Sequence, residues 1–199
     1  MDDPPLVQTF DERTDDSIDV DLARLGELMG AVLRAEGVPA SAQAVLTLVD
    51  SERIAELKSE FLDGDGSPTD VLSFPIDGPE IASALAEAET REAVAGVSGG
   101  PTAVALGSSP DGPLLVGDVV LCPRVAADQA SEHAGTTEDE LALLVIHGSL
   151  HLLDWDHDEA DAQSQMWARE RELMTSLHRK PARDPWIAHS VGEPESAKP

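Results

Sequence analysis

The sequence predicts an α/β chain, α+β by some definitions, with one small mixed sheet of about four strands packed against several helices. Three observations predict it. Residues 45–49, 69–75 and 114–122 are short apolar runs of strand length, set apart by polar residues, glycine or proline. Between such runs, apolar residues recur at helical spacing, as Leu22, Leu25, Met29 and Val32 do. Residues 141–153 are apolar around nearly the whole circumference of a helix, the mark of a buried, central one.

In chain order, a flexible acidic N-terminus is expected over residues 1–17. The opening Met1, Asp2, Asp3, Pro4, Pro5 lacks the basic and apolar regions of a signal peptide. No apolar run reaches the length of a membrane span. Both features predict a cytoplasmic protein with no membrane partner. One domain over residues 18–182 follows, a length that supports a real core. Residues 18–37 predict the first helix, with Gly37 beyond its end. After the strand at 45–49, Asp50 or Ser51 caps a second helix whose apolar face is Ile54, Leu57 and Phe61. Residues 76–113 are rich in Gly, Pro, Ala and Ser and predict a mobile insertion. Its Ala/Glu-rich piece, 82–95, has helix-forming composition but little apolar periodicity. Pro123 opens a further helix through about Ala134, and residues 159–179 predict the last one, with Met166, Leu173 and Leu177 inward. The Pro- and Glu-rich tail, 183–199, is expected to be disordered. Cys122 is the lone cysteine, which excludes an internal disulfide framework and suits a small buried hydrophobe.

Charge sets a boundary on partners. With 39 acidic residues against 13 basic ones, the net charge is −26. Nucleic-acid binders usually carry a basic footprint. A heavily solvated acidic surface is the simplest reading, and any polyanionic substrate requires a local cationic groove or a bound cation.

Histidine is scarce, six in the chain, yet His147, His151 and His157 fall within eleven residues. The first two are four apart and share one face of the central helix. That helix is well marked: Thr137 as N-cap and Glu140 three residues on fit a capping box, with acidic residues at the positive end of the dipole. A turn after the helix swings His157 back toward the other two. Three neutral imidazoles and one open position are the ligand set of a catalytic zinc, one ion per chain. The alternative is two satisfied core histidines and one surface histidine. The spacing H-x3-H-x5-H is shared with metzincin proteases, which place a glutamate after the first ligand as general base. Here that position is Gly148, so the protease reading lacks its base. A glycine there is expected to leave space at the metal.

The same stretch, His147-Gly148-Ser149-Leu150-His151-Leu152-Leu153-Asp154-Trp155-Asp156-His157, resembles the YbeY family of bacterial zinc-dependent endoribonucleases. That family carries H-G-x-L-H-L-x-G-Y-D-H. Trp155 replaces its Tyr, and Asp154 replaces its second Gly, a position expected at positive φ. Residues 69–75, Thr-Asp-Val-Leu-Ser-Phe-Pro, match a second family segment, T-D-V-L-S-F-P. Residues 114–122 contain a run similar to the family's L-G-D-I-x-I, in which Asp118 either supports a zinc-ligating histidine or serves a turn at the strand end. Met166 and Glu170 match family positions as well. The resemblance covers roughly residues 20–180 outside the insertion. It implies zinc held by His147, His151 and His157, with His147 also counted as catalytic. It implies single-stranded RNA as substrate, ribosomal RNA and ribosomal particles as partners, and roles in 16S rRNA 3′-end maturation and ribosome quality control. No DNA is expected. The family's Arg, implicated in activity, aligns with Leu62, and Lys58 stands one helical turn earlier. Two other classes stay open: a zinc hydrolase of small esters, amides or phosphates, and a non-catalytic ribosome assembly factor with a structural zinc.

Overall fold

Alternating apolar residues in residues 43–48 bury one face, Ala44, Leu46 and Leu48, and leave Val45 and Thr47 only partly covered. That strand is the second in the sheet of the computed structural model, which describes residues 6–62, 66–95 and 114–187. The strands are β1 (Leu6–Asp11), β2 (Gln43–Leu48), β3 (Val71–Pro75) and β4 (Leu115–Leu121), in the order β1-β2-β4-β3. β1, β2 and β4 are parallel, and β3 runs antiparallel to β4. The mixed four-stranded sheet is the one the sequence predicts. Parallel neighbours need crossover connections. Helix α1 (Leu22–Ala35) supplies the one from β1 to β2. Then come α2 (Ser51–Phe61), α3 (Gly78–Ala95), α4 (Pro123–Ala130), α5 (Thr137–Leu152) and α6 (Ala160–Leu173), which continues into a π-helical turn, Met174–His178.

Two segments are more ordered than their composition predicts. Leu6–Asp11 lies in the stretch expected to be a flexible arm, yet it pairs with β2 as an edge strand. Leu6 N donates to Ala42 O and Glu12 N to Leu48 O, closing both ends of the pairing. Helix α3 occupies the start of the expected insertion. Its anchor is Ile81, fully buried, with Ala82 and Leu85 packed on the same core. One deep apolar anchor among residues 78–87 leaves little periodicity for a sequence to show there. The rest of the insertion, residues 96–113, lies outside the described residues. Gly78 opens α3 against the end of α5: a Cβ there would stand 1.8 Å from Leu152 O, so only glycine permits this approach.

Helix α5 is central. It packs on α1, α4 and α6 and on strands β3 and β4. Between Asp139 and Leu152 every residue is buried except His147 and His151. The main core fills the space between α1, α5 and one sheet face, while Val49, Ile54, Leu72, Val120 and Cys122 form a smaller cluster beneath α2 on the other face. Cys122 is thus the buried hydrophobe its setting suggests.

The cap of α5 differs from the expected box by one residue. Thr136 is the N-cap, and its hydroxyl accepts from Asp139 N at 3.1 Å. Glu140 is therefore freed from reaching back to the cap. Fully buried, it accepts from His133 Nδ1 at 2.8 Å and from Ala134 N at 3.1 Å, tying the α4–α5 connection to the helix. The Glu140 hydrogen bond raises the His133 pKa above its ordinary 6.5. A histidine with a raised folded pKa stabilises the fold fully below its unfolded pKa and loses that contribution as pH rises through the folded value. We expect thermal stability of the wild type to fall more between pH 6 and pH 9 than that of His133→Gln. Equal slopes in the two proteins would show that the pair contributes nothing. Partial exposure of His133 keeps the effect small.

Candidate metal centre

The buried helix ends where its histidines open to solvent. His147 and His151 project from one face of α5, and their Nε2 atoms stand 3.1 Å apart. Two ligands on one tetrahedral zinc, with bonds of about 2.05 Å, stand about 3.3 Å apart. The chain then turns through a Schellman motif. Trp155 N donates to Leu150 O and Asp154 N to His151 O, both at 3.2 Å. Asp154 takes the left-handed position, φ 66°, the conformation its place in the motif predicts and the one position of this kind filled by a non-glycine among the described residues. Asp156 Oδ1 then accepts from His157 N at 2.6 Å and from Asp158 N at 3.2 Å, a local turn that aims His157 back. Its ring centroid lies 5.5 Å from that of His147 and 5.0 Å from that of His151. One ligating atom from each of the three lies within 4.8 Å of the others, so the group can hold a metal ion. All three residues singled out from the sequence thus converge.

Two further observations suit a cation. His147 Nδ1 lies 2.7 Å from Oε1 of Glu170, which is almost fully buried on α6. A carboxylate there fixes the tautomer with the proton on Nδ1, leaving the Nε2 lone pair directed into the cluster. Burial, followed by the charges of His147 and His157, lowers the His151 pKa from 6.5 to about 4. His151 is therefore a neutral ligand at pH 7 and needs no deprotonation to bind metal.

Several sequence-based expectations are corrected here. Gly148 does not leave space at the metal. It faces the sheet, where a Cβ would meet Val119 Cγ1 at 2.9 Å and Ser73 Oγ at 3.1 Å, and Ser73 Oγ donates to Gly148 O at 3.2 Å. The glycine lets α5 lie close on β3 and β4. Asp118 makes no hydrogen bond to the three histidines. Strand alternation puts it opposite Phe74, on the sheet face turned away from Val119 and α5. Burial raises its pKa above the ordinary value. The supporting carboxylate is Glu170 instead. Leu62 follows α2 and is 56% exposed, a free aliphatic surface where the resemblance has an arginine. A cationic groove cannot draw freely on Arg124, Arg169 or Arg179, each paired with carboxylates: Asp15, Glu36 with Glu172, and Glu138 with Asp139. Sequence reasoning missed Trp186. It falls in the stretch expected to be disordered, yet it is buried and donates from Nε1 to Glu170 Oε2 at 2.7 Å. The available signal was a large aromatic in a chain with only three tryptophans.

A helix that is buried from Asp139 to Leu152 except at two imidazoles puts this chain among α/β proteins with a histidine site able to hold a metal ion. Comparison with known proteins narrows that class. The family model described as Endoribonuclease YbeY matches residues 10–178. A protein named Endoribonuclease YbeY from Acidothermus cellulolyticus is 39% identical over 84% of this chain and 90% of its own length. Its namesake in Salinispora tropica is 40% identical over 70% of this chain and 77% of its own. The solution structure of TM1509 from Thermotoga maritima shares the fold, with a TM-score of 0.50 and 23% identity over 86% of this chain and 89% of that one. The chain belongs to the YbeY family. No helix among the described residues is long and apolar enough to cross a membrane.

Proposed function

We propose that this protein is a zinc-dependent endoribonuclease specific for single-stranded RNA. Its substrate in this reading is ribosomal RNA, with roles in 16S rRNA 3′-end maturation and quality control of ribosomal particles, and a cytoplasmic location goes with it. The observation that carries the reading is the convergence of His147, His151 and His157, with Glu170 holding His147, in a chain of a family whose members are named endoribonucleases. Bound by three neutral imidazoles, zinc would lower the pKa of a coordinated water toward about 7 and polarise a phosphoryl oxygen. In this reading His147 is both ligand and catalytic residue, its tautomer set by the Glu170 carboxylate 2.7 Å from Nδ1. His151 stays neutral through burial, and His157 arrives on the turn after Asp154. With Gly148 after the first ligand, no carboxylate base stands where proteases have one. The substrate test is zinc-loaded protein against single-stranded RNA, duplex RNA, single-stranded DNA and small phosphate, ester or amide substrates. Cleavage of single-stranded RNA alone is the expected result. Turnover of the small substrates with RNA left intact would overturn the reading in favour of a small-substrate hydrolase.

Leu62 favours one competing reading, a non-catalytic assembly factor with structural zinc, because an exposed leucine offers no charge to phosphate. It also yields a test. At −26, the surface repels RNA at low salt, and roughly 0.1 M salt screens that repulsion over about 10 Å. Higher salt weakens the phosphate contacts themselves. Cleavage should therefore pass through an optimum at moderate salt, and Leu62→Arg should raise single-turnover cleavage there. Equal rates for the two proteins at every salt concentration would remove position 62 from the substrate path. Zinc-loaded wild type that binds ribosomal particles but cuts no RNA would establish the assembly-factor reading.

A further inference from the structure

The segment after the π-helical turn is strapped to the start of α5 and to the connection before it. Ala182 N donates to Asp139 Oδ2 at 3.2 Å, Arg183 N to Ala134 O at 3.0 Å, and Arg183 Nη1 to Ser131 O at 3.2 Å. Gly135, at φ +97°, admits this strap, since a Cβ there would lie 2.8 Å from Ala182 Cβ and 2.9 Å from Arg183 N. The strap delivers Trp186 into a buried position, with the Arg171 guanidinium 4.7 Å from its ring centroid. These contacts lie past residue 178, where the match to the family ends.

From this arrangement we propose that Trp186 is a positioning residue for the metal centre, acting through Glu170 on His147. The proposal rests on the three-histidine zinc site of the preceding reading. Glu170 divides its two oxygens between two donors: Oε1 faces His147 Nδ1 at 2.7 Å, and Oε2 accepts from Trp186 Nε1 at 2.7 Å. The terminal torsion of a glutamate is broad and two-fold, so one partner alone leaves the carboxylate free to rotate. A second donor on the far oxygen fixes its plane. The fixed plane holds the imidazole in the orientation and tautomer that present Nε2 to a cation. Outer partners of ligating histidines commonly govern metal affinity. Here the chain extends that control one residue further, from a strap anchored at the opposite end of α5.

The test is zinc affinity, measured by chelator competition on full-length protein. Trp186→Phe keeps an aromatic ring and removes the donor. It should weaken zinc binding about ten-fold, and Glu170→Gln about ten- to hundred-fold. The double variant should bind no more weakly than Glu170→Gln alone, because Trp186 acts only through that carboxylate. A merely structural tryptophan would lower the thermal midpoint of the metal-free protein while leaving affinity unchanged, or would add its full penalty in the double variant. Either outcome overturns the proposal. As a second measurement on wild type, the indole N–H resonance of Trp186 should shift on titration with zinc, and an unmoved resonance in protein that binds zinc overturns it too. Wild type that binds no zinc would instead refute the metal reading beneath it.

Discussion

Replacing any one of His147, His151 or His157 with alanine should strip zinc from the protein and abolish RNA cleavage, with little loss of fold. The three side chains supply every imidazole of the cluster, and two ligands leave a site that competes poorly with water. Loss of an outer partner costs roughly ten- to hundred-fold in affinity, and loss of a ligand should cost more. The fold should survive because His147 and His151 occupy the only unburied positions on α5 between Asp139 and Leu152. Removing them opens no deep cavity. His151→Ala should reduce the acid sensitivity of the metal-free protein. Its folded pKa of about 4 lies below the unfolded 6.5, so its contribution is complete above pH 6.5 and falls away toward pH 4. Metal content by elemental analysis, with circular dichroism as the control for folding, checks the expectation. Full zinc occupancy in any single variant would remove that histidine from the site.

The second large effect concerns Gly148. Gly148→Glu restores the residue a zinc protease carries after its first ligand, yet it should yield a poorly folded protein and no protease. The new side chain would point at Val119 and Ser73, not at the metal. Overpacking costs about 1–3 kcal/mol. A carboxylate on a buried sheet-facing position adds a desolvation penalty of several kcal/mol. Against a net stability of about 5–15 kcal/mol, the sum is enough to depress the folded population. Gly148→Ala isolates the steric part. Its clash with Val119 Cγ1 at 2.9 Å is offset by a helix propensity gain of about 1 kcal/mol, so its net effect should be small. Chemical denaturation of the two variants separates these outcomes. A Gly148→Glu protein as stable as wild type would place this glycine elsewhere than against the sheet.

What the sequence made legible follows from how locally each feature is written. The histidine triad is a helix spacing followed by a short turn, and both are local; the left-handed Asp154 was foreseeable from the position it fills. The strands at 43–48, 71–75 and 115–121 are apolar runs, and runs are visible in one dimension. Glu170 matched a family position, but its hydrogen bond to His147 spans 23 residues of sequence and leaves no periodic trace. Trp186 was hidden by its neighbours, since a Pro- and Glu-rich composition argues for disorder and one buried aromatic outweighs it. The role of Asp118 stayed open because composition does not say which sheet face a strand residue takes. Gly148 was misread for the same reason: on a helix apolar all round, spacing cannot tell the sheet side from the metal side. Strand β1 depends on a pairing partner more than thirty residues away, and its own polar residues conceal it.

Single-turnover cleavage of single-stranded RNA, measured as zinc is returned stepwise to stripped protein, tests the central claim most directly. The account predicts no cleavage by the metal-free protein and a rate that rises with occupancy to a plateau at about one zinc per chain. His147→Ala should remain inactive throughout the same titration. Cleavage by stripped wild type at the plateau rate, or equal cleavage by His147→Ala, would contradict it.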